Sequence, residues 1–282
     1  MDQITPATGA IFAFALGAII GSFVNVVAYR VPRELSIVSP GSRCPSCLRP
    51  IPPWANIPII SYVALRGRCI MCKERISLRY PAVEAALGLC AFSLYLTFPL
   101  SEAIGRFVLC AALMALSLVD YEWRIIPNLI TLPGIPIGTL AAIFLMPSVG
   151  AINSLIGILA GSGVLFVIGE IYHRLRGVEG VGMGDVKLIA MIGAFLGWQG
   201  ALFALLVGSL AGSIVGVVRG LRTAPAAESG NPSAEVAADD RGGEADRTPL
   251  LRTAITFGPF LSIAAAVYAL LQPELGRWYL PD

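Results

Sequence analysis

Apolar runs separated by polar loops recur from one end of the chain to the other. A helix needs roughly 20 apolar residues to cross the hydrocarbon core of a bilayer. By that rule the pattern predicts spans over 10–29, 81–99, 103–120, 129–147, 151–172, 186–198, 200–218 and 254–271. The sixth run is short and would need its flanks, or a locally thinned bilayer. The first run lacks a basic leader and an A-x-A site, and its first basic neighbours, Arg30 and Arg33, follow it. These are the marks of a retained span, not a cleaved signal. The expected fold is therefore an all-α polytopic membrane protein of about eight transmembrane helices, with a small cytoplasmic zinc-binding loop domain.

Charge orients this scheme. Only 13% of residues are charged, against 56% hydrophobic, about half the charged share of a soluble domain. Residues 30–80 hold nine Lys and Arg: Arg30, Arg33, Arg43, Arg49, Arg66, Arg68, Lys73, Arg75 and Arg79. Arg124, Arg174, Arg176, Arg219, Arg222, Arg241, Arg247 and Arg252 fall in later alternate connections. The intervening connections are bare except for Arg106 at a span edge and Arg277 in the tail. Because cytoplasmic loops collect positive charge, both termini are expected outside. The net charge of +2 gives no case for nucleic acid. Three parts follow: a first helix (1–29), a cytoplasmic four-cysteine domain (30–80) and a membrane domain (81–282). The membrane domain is interrupted by a linker at 220–252, too poor in large apolar residues to fold and expected to be disordered.

RCPSC (43–47) and RCIMC (68–72) place Cys44, Cys47, Cys69 and Cys72 in two C-x2-C pairs with 21 residues between them. Two such pairs complete the tetrahedral thiolate sphere of structural zinc. Two disulfides are the competing reading, disfavoured in a reducing cytoplasm. Cys90 and Cys110 lie inside spans and are expected to be packing residues.

The same topology brings two acids to one face. Asp120 in LSLVDYEWRIIPN ends the third span on the cytoplasmic side, and Asp185 in GVGMGDVK opens the sixth there. Two carboxylates at one depth suit an aspartic peptidase, in which the pair shares a proton. Plainer readings are open as well: Asp185 as a helix N-cap, and Asp120 as an interfacial residue facing Arg124. Gly182 and Gly184 permit close approach of an extended peptide to the backbone. Pro127 and Asn128 predict a turn after Asp120.

GMGD (182–185) followed by Val-Lys resembles the G-x-G-D motif of the type IV prepilin peptidase family. In the same order come GSFVNVVAYRVPR (21–33), the two cysteine pairs, NIPIISY (56–62), LRGRC (65–69), ISLRYPAVE (76–84), DYEWRIIPN (120–128) and FGPFL (257–261). The resemblance implies an inner-membrane aspartic endopeptidase that cuts the basic leader of prepilins and pseudopilins after a glycine, at the cytoplasmic face. It implies Asp120 and Asp185 as the catalytic pair, with Gly182 and Gly184 shaping the substrate-facing turn. It further implies N-methylation of the new N-terminus from S-adenosylmethionine. Prepilins, pseudopilins, membrane lipid and pilus or type II secretion components are the implied partners. No G-x-G-x-x-G follows a strand, so the residue pattern itself assigns no cofactor site.

Of the remaining polar residues, Glu84 is expected in a polar helix contact, with proton partner and cofactor binding as alternatives. His173 is expected at the interface, and Lys187 is a charge without a role. Asn25, with Gly17, Gly21 and Ser22, predicts close helix packing and one interhelical hydrogen bond. Three other functions compete: a peptidase without methyl transfer, a proton-coupled transporter, and a zinc-stabilised secretion scaffold. A transporter would show internal repeats and midplane acids, and no repeat is visible in the sequence.

Overall fold

The computed structural model describes residues 6–177, 181–223 and 256–279. Eight α-helices carry them: α1 (Pro6–Arg30), α2 (Ile60–Ala64), α3 (Arg79–Thr97), α4 (Leu100–Trp123), α5 (Asn128–Phe144), α6 (Gly150–Arg176), α7 (Met183–Thr223) and α8 (Gly258–Tyr279). No strand occurs among the described residues; the backbone pairs only at two isolated bridges, Arg43 with Pro50 and Arg68 with Arg75. Five helical stretches are long and apolar enough to cross a membrane, and α5 and Gly258–Gln272 are shorter apolar helices. The linker expected over 220–252 lies outside the described residues from 224 onward.

The runs expected as the sixth and seventh spans are two arms of α7, broken at Gly197 (φ 72°, ψ −176°). That backbone conformation is open essentially to glycine alone. The first arm needs no bilayer-matched length, because protein surrounds it. Leu188, Ile189, Ala190, Met191, Ile192, Ala194, Phe195 and Leu196 are all buried, as befits a helix apolar on every side. This arm packs against α5 and α6, and α7 as a whole also packs against α8. The perimeter, by contrast, leaves Ile11, Phe12, Leu159 and Leu210 exposed, a surface suited to lipid.

Glycine sets the closest contact. A Cβ on Gly193 would stand 2.3 Å from the Gly157 carbonyl oxygen, and the Ser154 hydroxyl donates to Ala194 O at 2.7 Å beside it. Small residues at helix crossings let backbones approach in the absence of a hydrophobic drive between helices. Gly193→Val is expected to part α6 from α7 and destabilise the bundle by about 3 kcal/mol or more, read as a lower melting temperature in detergent.

α1 docks on α3 in the way expected of Gly17, Gly21 and Asn25. The Asn25 amide donates across to Tyr80 O at 3.2 Å, and a Cβ on Gly21 would lie 2.7 Å from Glu84 Cα. Arg106, the exception to the charge pattern, is no loop residue at all. Its side chain is 1% exposed and pairs with Glu102 at 3.4 Å. It also donates to Ala269 O and lies over the Phe98 ring. Ser148 completes the cluster by donating to Glu102 at 2.9 Å. A buried charge of this kind persists only when paired and hydrogen-bonded.

Candidate active site

Asp120 stands on the last turn of α4 and is 5% exposed. That helix stops where the sequence dictates. Arg124 takes a left-handed conformation as its C-cap, the chain runs extended to Pro127, and α5 begins at Asn128. The end of α4 is tied to its neighbours through Arg79 paired with Glu122 and through Arg33, stacked on Tyr29 and Trp123. No ion pair joins Asp120 to Arg124 among the described residues, and Arg124 is exposed. The interfacial reading of Asp120 therefore fails: the carboxylate turns into the protein.

Asp185 is not an N-cap either. The helix starts two residues earlier, and the Gly182 carbonyl accepts from the amides of Asp185 and Val186. Asp185 thus sits within the first turn of α7, where the helix dipole favours a carboxylate. Its carboxylate lies within electrostatic range of Asp120. Gly182 and Met183 are exposed, so the turn before Asp185 presents open backbone. Beside it, between α6 and α7, a cavity of about 140 Å³ is lined by Leu165, Phe166, Glu170, His173, Met183 and Val186, among others.

Three residues complete the surroundings of the pair. Ile126, from the α4–α5 turn, fills the space between Gly184 and Gly258: a Cβ on the first would meet it at 3.0 Å and one on the second at 3.4 Å. Gly258, at the start of α8, turns its backbone amide toward Asp120. Lys187 donates to the Asn128 side chain at 2.9 Å, joining the openings of α7 and α5. Ile126 and Gly258 lie inside WRIIPN and FGPFL, stretches conspicuous in the sequence without any chemistry of their own to mark a role.

The four cysteines converge as their spacing requires. All four sulfurs lie within 4.8 Å of one another, and none is in a disulfide. A tetrahedral centre with metal–sulfur bonds of about 2.3 Å has edges of about 3.8 Å. Cys44 Sγ and Cys72 Sγ are 3.8 Å apart. The two knuckles repeat one backbone pattern: Leu48 N bonds Cys44 O and Cys44 N bonds Arg49 O, as Lys73 N bonds Cys69 O and Cys69 N bonds Glu74 O. Leu48 and Lys73 take positive φ at equivalent places. Burial would raise the Cys44 thiol, but the amides of Cys47 and Ser46 and two thiol neighbours bring it to about 7. At Cys72 the Glu74 amide lowers the thiol, but lost solvation and contact with the other three cysteines push it to about 11. The set can hold a metal such as zinc.

Glu84 is 8% exposed and makes the polar contact expected of it, with a loop as well as a helix. Its Oε2 accepts from the Ile59 amide at 2.8 Å, and its carboxylate also bonds Ser22. Ile59 is itself the centre of a γ-turn (φ 62°, ψ −50°) closed by Ile60 N to Pro58 O, a rare conformation for a β-branched residue.

Comparison with known proteins gives consistent matches. Residues 15–98 match the Bacterial Peptidase A24 N-terminal domain, and residues 107–217 match the Type IV leader peptidase family. A protein of Burkholderia pseudomallei named prepilin leader peptidase/N-methyltransferase is 37% identical over 237 residues, covering 73% of this chain and 75% of its own length. Proteins of the same name from Pseudomonas aeruginosa and Myxococcus xanthus are 34% and 33% identical. Each alignment covers at least 94% of this chain and 91% of the relative. No solved structure matches the chain.

Proposed function

This chain belongs to the type IV leader peptidase family, and we propose that it works through Asp120 and Asp185 as an aspartic dyad. It is an inner-membrane, multi-pass prepilin leader peptidase. The observation that carries the dyad is that α4 and α7 bring two carboxylates, 65 residues apart in the chain, within electrostatic range of each other.

Two like charges this near cannot both ionise easily, so the pair holds one proton. The ionised member takes a proton from water as the oxygen attacks the scissile carbonyl carbon. The protonated member hydrogen-bonds the carbonyl oxygen as it gains charge, and a proton is returned to the leaving nitrogen when the peptide bond breaks. Gly182 and Gly184 present the open turn along which an extended substrate lies. The positive-inside pattern supports an active site on the cytoplasmic face with both termini outside. A first helix, a cysteine domain and a membrane domain divide the chain. Prepilins and pseudopilins are the substrates, cut after a glycine; pilus or type II secretion components are the partners this role implies.

Cys44, Cys47, Cys69 and Cys72 hold structural zinc, leaving no open coordination position for chemistry. N-methylation of the freed N-terminus is the second activity, supported by the name its relatives share. S-adenosylmethionine, when bound, supplies the methyl group. The described residues contain no strand, so they offer no βαβ dinucleotide site for it.

The test follows a prepilin-like peptide, with basic leader and Gly-Phe junction, by mass spectrometry on the purified protein in detergent. Cleavage at the glycine, then a gain of one methyl only with S-adenosylmethionine, is expected. Intact peptide with well-folded enzyme would return the transporter and scaffold to consideration; cleavage without methyl gain would leave the peptidase alone.

A further inference from the structure

The amides that open α8 are distributed unevenly. Pro259 has none. Those of Phe260 and Leu261 bond the Phe257 carbonyl. The amide of Gly258 remains, and it is turned to the Asp120 carboxyl group. A helix start of this kind carries partial positive charge. Meanwhile Asp120 Oδ2 is buried and has no hydrogen-bond partner among the described residues.

Glycine at 258 is not explained by backbone conformation, because its φ lies outside the left-handed range. Helix propensity opposes it as well. Space explains it: a Cβ there would stand 2.5 Å from Asp120 Oδ2 and 3.2 Å from Asp120 Cγ. The carboxyl group has little room to retreat, since Ile126 Cδ1 lies 3.4 Å from that same Cβ position.

We propose that Gly258 is a positioning residue for the reaction: its missing side chain admits the start of α8 against Asp120, and its amide fixes that carboxyl group facing Asp185. Oδ2 is the oxygen that lies against Gly258 and that a Cβ there would displace. The inference rests on the dyad proposed above. It gives FGPFL a role that neither charge nor periodicity suggests.

The test uses the full-length protein in detergent. A displacement of about 1 Å at a reacting group can cost about 100-fold in rate, so Gly258→Ala is expected to lower kcat by about that factor. KM for the prepilin peptide should stay within about threefold, because the substrate-facing turn is untouched. The pH–rate profile should shift, which a change in general packing would not produce. Gly212→Ala is the control on the facing helix: its Cβ would find ordinary contacts at 3.6 Å with Phe257 and Phe260, and its rate should match wild type.

A melting-temperature cycle covers the case in which Gly258→Ala folds poorly. The substitution should lower the melting temperature in the wild-type background and much less beside Asp120→Ala, which removes the carboxyl group the new methyl strikes. Equal losses in both backgrounds, or a Gly258→Ala enzyme with wild-type kcat and pH profile, would overturn the proposal. Failure of the wild-type protein to cut any peptide would instead count against the peptidase dyad, and the melting cycle would still decide the contact.

Discussion

Asp120→Asn and Asp185→Asn each lower the cleavage rate by about 1000-fold or more, the upper range for loss of a general acid or base. Asparagine keeps the shape of the side chain and removes its ability to take or give a proton. Either loss breaks the shared-proton pair, so the two variants should fall alike, and the double variant little further than each alone. Stability should move the other way. Asp120 is buried with an oxygen lacking a partner, and a buried polar group in that state costs free energy. Asparagine carries no charge to bury, so both variants should melt at or above the wild-type temperature. Active sites commonly carry such unfavourable arrangements for the sake of chemistry. Peptide mass spectrometry and thermal unfolding in detergent read the two effects. A variant cutting at more than about a tenth of the wild-type rate has lost no essential proton donor or acceptor, and its aspartate leaves the dyad.

Loss of the proposed metal centre is the second large effect, and it falls on a different part of the molecule. Between the end of α1 and the start of α3, the buried hydrophobic residues are Cys44 and Cys69 alone. A segment with so little core depends on something other than apolar burial. Structural zinc sites contribute about 10–16 kcal/mol of binding free energy, enough to decide whether such a loop folds. Cys44→Ser, Cys69→Ser or removal of zinc by a chelator is therefore expected to open 31–78 to proteolysis while the helices stay intact. Elemental analysis should find one zinc per chain in the wild type and little in either variant. Acid should release it too. Thiolates bind the metal and thiols do not, so retention falls as pH drops. Cleavage should fall less than in the aspartate variants, since α4 and α7 are held mainly by other helices. Unchanged protease resistance after complete metal loss would show that the knuckle hydrogen bonds alone fold the loop.

The proposed roles connect distant parts of the chain through small residues. Ile126 meets Gly184 and Gly258, and Lys187 meets Asn128, so the ends of α4, α5, α7 and α8 converge near Asp120. Among these contacts the sequence displays only residue types. With 30 glycines in the chain, nothing local distinguishes Gly258, which touches a carboxylate, from Gly163, which has open space where a Cβ would be. Arg106 was equally illegible, because Glu102 explains part of its burial and Ala269 and Phe98, both remote, explain the rest.

By itself the sequence determined what depends on solvent and spacing. Apolar runs outline membrane helices because leaving backbone and charge in hydrocarbon is expensive at every residue. The cysteine spacing determined a four-sulfur site, and alternating basic loops carried Asp120 and Asp185 to one end of the bundle. Tertiary structure decided what depends on which helix faces meet. It joined two expected spans into α7 with a break at Gly197, buried its first arm, turned Asp120 away from Arg124, and set Gly258 against it. The physical reason is the range of the forces involved. Transfer free energy accumulates along a segment and can be read there, whereas an approach of 2.5 Å is fixed only when surfaces from distant segments pack together.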